Sequence, residues 1–237
     1  MDAKTDARTD SSAQRRRQVL ERIARACRES GRSPAAVELL AVSKQQPAAA
    51  LRAQHALGQR AFGENRLQEA LTKQDELADL ELTWHFIGPV QSNKTRDIAA
   101  RFDWVQSVDR EKILRRLGAQ RPEAKPPLMI CLQVNIDEEP QKAGASPAAV
   151  TDLAALCRDL PRLCLRGLMC LPARQEDADD TRDSFQRVAA LAATLRHEGH
   201  EIDTLSMGMS ADLEPAIACG STMVRVGTDL FGPRTQR

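Results

Sequence analysis

Residues 202–227 read IDTLSMGMSADLEPAIACGSTMVRVG. A short apolar run at 202–206 leads through Met207-Gly208-Met209-Ser210 into a helical pattern over 211–219. Gly220 stands where that helix should stop, and a second apolar run at 223–227 follows. Two strands joined by a helix run parallel, and strands this short and apolar are buried on both faces.

Working outward from this unit, the same alternation fills the chain. Apolar runs at 39–43, 60–63, 83–88, 104–108, 128–135 and 165–171 complete a set of eight candidate strands. Helical spacing of apolar residues falls between them, at 47–57, 67–80, 93–101, 110–119, 147–160 and 178–198, with one more helix at 17–29 ahead of the first strand. Ser146-Pro147 is a cap residue before a first-turn proline, and Ser210 precedes the run at Ala211. Eight strands alternating with helices predict the α/β class and a single (β/α)8 TIM-type barrel. The competing open sheet lacks support, because no GxGxxG follows the first strand and no GxxxxGK[ST] occurs. Residues 14–237 therefore read as one barrel domain, and the polar segment 1–13 as a disordered tail.

Composition narrows the function. The 34 basic and 33 acidic residues leave a net charge of +1, which gives no field for nucleic acid or an anionic membrane. Hydrophobic residues make up 42% of the 237 positions, enough for a large core, yet no segment reaches the roughly twenty apolar residues of a membrane span. The six cysteines form no CxxC pair and read as reduced thiols of a cytoplasmic protein. His197-Glu198-Gly199-His200 misses the spacing of a metal-binding HExxH and reads as a solvated helix end, so no metal is expected. Tyrosine is absent altogether.

In a barrel, function collects where strands end and βα loops begin. Lys44 leaves the apolar run Leu39-Leu40-Ala41-Val42-Ser43 at that mouth. Two readings stay open for it: a desolvated, nucleophilic amine, or a strand-end lysine reaching to solvent. The loops after the last two strands, Ser206-Met207-Gly208-Met209-Ser210 and Arg225-Val226-Gly227-Thr228, lie where barrels build phosphate sites from backbone N–H groups. His85, inside Trp84-His85-Phe86-Ile87-Gly88, reads first as a core histidine.

Six segments carry a resemblance. They are Leu40-Ala41-Val42-Ser43-Lys44, Phe62-Gly63-Glu64-Asn65, the run from Trp84 through Gly88-Pro89-Val90-Gln91-Ser92-Asn93-Lys94, Arg166-Gly167-Leu168-Met169, Leu205 through Ser210, and Gly220 through Gly227. In this order they resemble the pyridoxal phosphate homeostasis protein family over about residues 17 to 234. The resemblance implies a barrel like the N-terminal domain of alanine racemase, holding pyridoxal 5'-phosphate as a Schiff base on Lys44. It implies a phosphate grip from Ser206, Gly208, Met209 and Ser210, completed by Gly227 and Thr228. It places Arg225 opposite the pyridine nitrogen, and Asn65 and His85 around the same pocket. The implied protein is a cytoplasmic monomer that holds the cofactor without catalysis and serves vitamin B6 and amino-acid homeostasis. Two competitors are a weakly racemase-like pyridoxal phosphate enzyme and a barrel enzyme for phosphorylated metabolites without Schiff-base chemistry. Racemases of this fold pair a lysine with a tyrosine from a second domain, and this chain has no tyrosine. It also departs from the family at Arg66, usually tyrosine, and at Gln45-Gln46, where a polar residue and lysine are usual.

Overall fold

A computed structural model describes residues 3–172 and 178–232. Eight parallel strands close into a barrel in chain order. They are β1 Glu38–Val42, β2 Ala61–Glu64, β3 Thr83–Phe86, β4 Trp104–Val108, β5 Leu128–Val134, β6 Leu163–Cys170, β7 Thr204–Met209 and β8 Met223–Val226. The ring closes where Leu40 of β1 pairs with Arg225 of β8. The helices are α1 Ala3–Glu29, α2 Ala48–Ala56, α3 Leu67–Glu76, α4 Thr95–Arg101, α5 Glu111–Gln120, α6 Pro147–Cys157, α7 Ala178–His197, α8 Leu213–Ala218 and α9 Thr228–Phe231. The expected barrel is the observed one. Among the described residues no helix is long and apolar enough to cross a membrane.

The main core lies between the outer face of the strands and the helices. Phe62, Phe102, Phe185, Leu114 and Leu117 are fully buried there, and each such side chain contributes about 1.5–3 kcal/mol of burial. A smaller apolar group, Leu40, Ala61 and Met223 with Ile87 against it, forms a separate cluster. Period-two alternation on β8 separates Met223 and Arg225 from Val224 and Val226, which join the outer core.

Several boundaries differ from the sequence reading. Helix α1 begins at Ala3, so the segment read as a disordered tail is helical from that residue. Its anchor is the stripe Val19, Ile23, Ala26 and Cys27, buried at spacings of one helical face. Elongation from an anchored helix fixes one residue per added hydrogen bond and needs no new nucleus. Residues 1–2, 173–177 and 233–237, the last of which end the expected domain, lie outside the described residues. Helix α6 stops at Cys157 because Arg158, Asp159 and Leu160 donate to carbonyls three residues back, which tightens the last turn. Its start is as expected, with the Ser146 hydroxyl accepting from Ala149 N–H. The short α9 is too brief for periodicity to reveal. His200 is buried rather than solvated, since Gly199 at φ +83° turns the chain back and His200 N–H donates to Leu195 O.

Candidate functional site

A cavity of about 500 Å³ opens at the carboxyl end of the barrel. Val42, Lys44 and Gln46 reach it from the exit of β1, Asn65 from β2, and Ile87, Gly88 and Pro89 from β3. Met169 and Leu171 close the β6 side; Met209, Ser210, Ala211, Arg225, Gly227, Thr228 and Gly232 complete the wall from β7 and β8. Gly88 is required for tightness, because a Cβ there would lie 2.2 Å from the Asn65 carbonyl oxygen. Of the candidate residues, Lys44, Asn65, Met209, Ser210, Arg225, Gly227 and Thr228 therefore meet around one cavity.

His85, Ser206 and Gly208 are not part of that lining. The first two belong to a buried hydrogen-bonded chain that crosses the barrel from β3 to β8. His85 Nδ1 pairs with Gln106 Nε2 at 2.8 Å while its ring stacks on Trp104. Ser206 Oγ donates to Gln106 Oε1 at 2.7 Å, and Arg225 Nη1 donates to Ser206 Oγ at 2.9 Å and to Ser206 O. Arg225 Nη2 donates to Cys170 O at 2.8 Å. Ser206 thus supports the arginine from outside the lining. Gly208, at φ +93°, is a packing position: a Cβ would come within 2.6 Å of Ala216 Cβ on α8. Gln106 is one of the residues that sequence reasoning missed. Its segment, Trp104-Val105-Gln106-Ser107-Val108, mixes polar and apolar side chains and gives no local signal.

Arg225 is 4% exposed, and its hydrogen-bond partners are all neutral oxygens. Burial lowers its pKa from the usual arginine value, but a guanidinium stays charged in proteins. A buried cation without a bonded carboxylate is costly unless a ligand compensates it. Burial also pulls the His85 imidazole down to about 3, so this ring is neutral at physiological pH.

The Lys44 loop rests on a different cluster. Glu64 is fully buried, and its Oε1 accepts from Lys73 Nζ at 2.7 Å and from Ser43 Oγ at 2.6 Å. Burial pushes the Glu64 carboxyl up, while Lys73 and Ser43 act the other way. Lys73 also bonds Glu69 at 2.6 Å and the Ser43 carbonyl at 2.8 Å. Gln45, next to Lys44, sits at φ +62° and donates its N–H to Glu69. Both neighbours of Lys44 are thus pinned, one of them in a backbone region that non-glycine residues seldom adopt.

At the β7–β8 side, α8 begins at Leu213 rather than Ala211. Asp212, not Ser210, takes the N-cap position, and its carboxylate accepts from Met209 N–H. That leaves Ser210 in the loop and on the cavity wall. Among the described lining residues there is no carboxylate, imidazole, thiol or phenol. The thiols of Cys131 and Cys170 are pushed to about 12 by burial, and so is that of Cys157.

Comparison with known proteins places this geometry. The model of the alanine racemase N-terminal domain family matches residues 16–235. A pyridoxal phosphate homeostasis protein of Pseudomonas aeruginosa is 55% identical over 91% of this chain and 93% of its own length. Its counterpart in Escherichia coli K12 is 47% identical over 92% and 94%. The structure of PipY from Synechococcus elongatus PCC7942 with PLP bound superposes with a TM-score of 0.79. It is 41% identical, over 90% of this chain and all of that one. With one barrel, one mouth and near end-to-end identity at this level, the chain belongs to the pyridoxal phosphate homeostasis proteins, within the alanine racemase N-terminal domain family.

Proposed function

We propose that this protein binds pyridoxal 5'-phosphate in the carboxyl-end cavity, holds it as a Schiff base on Lys44, and buffers or delivers it without catalysing a reaction. The observation that carries this reading is the presence in one cavity wall of Lys44 and Arg225, the latter a buried guanidinium bonded to neutral oxygens alone, with no carboxylate among the described lining residues. Such a wall suits an anion that also bears a carbonyl for an amine. PLP bound to the relative PipY supports the same ligand.

The residues divide the work. Lys44 would supply the amine for the cofactor's aldehyde. Ser210, Gly227 and Thr228 would hold the phosphate, and Asn65 would bind at the ring edge. Arg225 keeps its protons and so would act as a hydrogen-bond donor towards the ring nitrogen rather than as a source of a proton for it. When bound, the cofactor supplies an electron sink for amino-acid chemistry, and a ring nitrogen facing an arginine makes that sink weak. His85 and Ser206 act from below, through Gln106 and Arg225. A neutral His85 paired at Nδ1 and thiols held protonated by burial supply no second base opposite Lys44. This favours a holding role over racemisation. The proposed setting is the cytoplasm, with the protein a monomer serving vitamin B6 and amino-acid homeostasis.

Titration with pyridoxal phosphate, followed by visible absorption, tests the reading. We expect one equivalent bound with a new band that Lys44→Ala loses, and no turnover of added L-alanine above that of free cofactor. Absence of binding by the wild-type protein would end the proposal, and efficient racemisation would replace it with the enzyme reading.

A further inference from the structure

Helix α1 precedes the first strand and stands outside the strand–helix repeat, yet one of its side chains reaches both loops of the proposed phosphate grip. Arg22 donates through Nε and Nη2 to the two oxygens of Glu214 at 2.7 and 2.9 Å, and through Nη1 to Asp229 at 2.6 Å. Nη2 also donates to the Ser210 carbonyl at 2.8 Å. Glu214 lies in the first turn of α8, after the Ser210 loop; Asp229 adjoins Thr228 in α9. One planar fork thus fastens three points around the two loops.

We infer that Arg22 is a positioning and selectivity residue for the phosphate group of the cofactor, a role that rests on the binding mode proposed above. Two effects act together. The bond to Ser210 O draws that carbonyl towards α1 while the residue itself lines the cavity, so an oxygen that would repel an anion is held elsewhere. The guanidinium also bonds two carboxylates that adjoin the phosphate-gripping residues and offsets part of their charge. Its hydrogen bonds hold the Glu214 carboxyl below the usual glutamate range. Without Arg22 the charge of Glu214 and Asp229 beside the two loops is less offset, and like charges at short range oppose the binding of an anion. Lysine cannot replace the fork, because a single ammonium does not reproduce planar bidentate geometry.

The test compares pyridoxal phosphate with pyridoxal, which lacks the phosphate, by equilibrium dialysis on the full chain. Arg22→Gln is expected to weaken pyridoxal phosphate about tenfold or more, the usual cost of losing hydrogen bonds to charged groups. Pyridoxal should change less than about twofold, since its contacts do not involve these loops. Arg22→Lys, which keeps the charge and guards against a misfolded Gln variant, should show the same selective loss, about threefold. Equal losses for both ligands, or no loss for either in both variants, would overturn the inference. If wild-type protein binds neither ligand, the underlying binding mode fails first, and that outcome is read from the wild-type arm alone.

Discussion

Two buried polar clusters flank the cavity, and they are built on opposite principles. Beneath the Lys44 loop, the one ammonium of Lys73 bridges the carboxylates of Glu64 and Glu69 within hydrogen-bond distance. On the other side, His85, Gln106 and Ser206 are neutral and lead to Arg225, whose charge meets only hydroxyl and carbonyl oxygens. The first cluster closes on itself and holds a loop in place. The second presents to the cavity a cation with no bonded carboxylate. Scaffolding and ligand demand are thus separated in space.

Breaking the closed cluster should have the larger effect on stability. Glu64→Ala leaves buried Lys73 without one of its two carboxylates, and removing one partner of a buried pair costs about 3–5 kcal/mol. Urea unfolding checks this, and a loss below about 1 kcal/mol would mean that the cluster is no more than a surface pair. Gln106→Leu attacks the open chain instead. It strands His85 Nδ1 and leaves the Ser206 hydroxyl proton without an acceptor, at about 1–3 kcal/mol for each buried unsatisfied group, and should also weaken pyridoxal phosphate binding by loosening Ser206, one of the supports of Arg225. Arg225→Ala is a poorer probe, because it deprives three buried acceptors at once and disturbs the barrel together with the ligand.

The neutral cluster also makes a pH prediction. His85 is held neutral down to about 3 when folded, whereas an unfolded histidine takes up a proton below about 6.5. Between those values the unfolded chain binds the extra proton, so stability falls as pH falls, by about 1.4 kcal/mol per pH unit from this group. Subtracting the profile of His85→Gln from that of the wild type isolates the contribution. A difference that is flat from pH 6 to 4 would contradict the burial argument. The smallest effect is Ser210→Ala, which removes one hydroxyl from the wall and should weaken the cofactor by about fivefold while leaving the melting temperature unchanged.

The barrel was legible because strand, loop and helix alternate with clean punctuation. Gly220 at φ +96° ends its helix as the sequence implies. Several cavity-lining residues were legible for a related reason: they stand at or just after a strand end, as Lys44, Asn65 and Gly227 do. What escaped the sequence was pairing across long separations. Nothing local joins Gln106 to Ser206 or Arg22 to Glu214, so their roles exist only once the ring closes and α1 packs on α8. The helical start of the chain escaped for the opposite reason. Its polar composition matches a tail, and only the buried stripe from Val19 onward reveals that a helix is already anchored there.

The central claim is a covalent one and can be read directly. Protein incubated with pyridoxal phosphate is reduced with borohydride, digested and mapped by mass spectrometry. The phosphopyridoxyl mass should sit on the peptide containing Lys44, and Lys73 should stay unmodified. A reduced adduct on another lysine, or none at all after saturation with the cofactor, would contradict the assignment of this cavity.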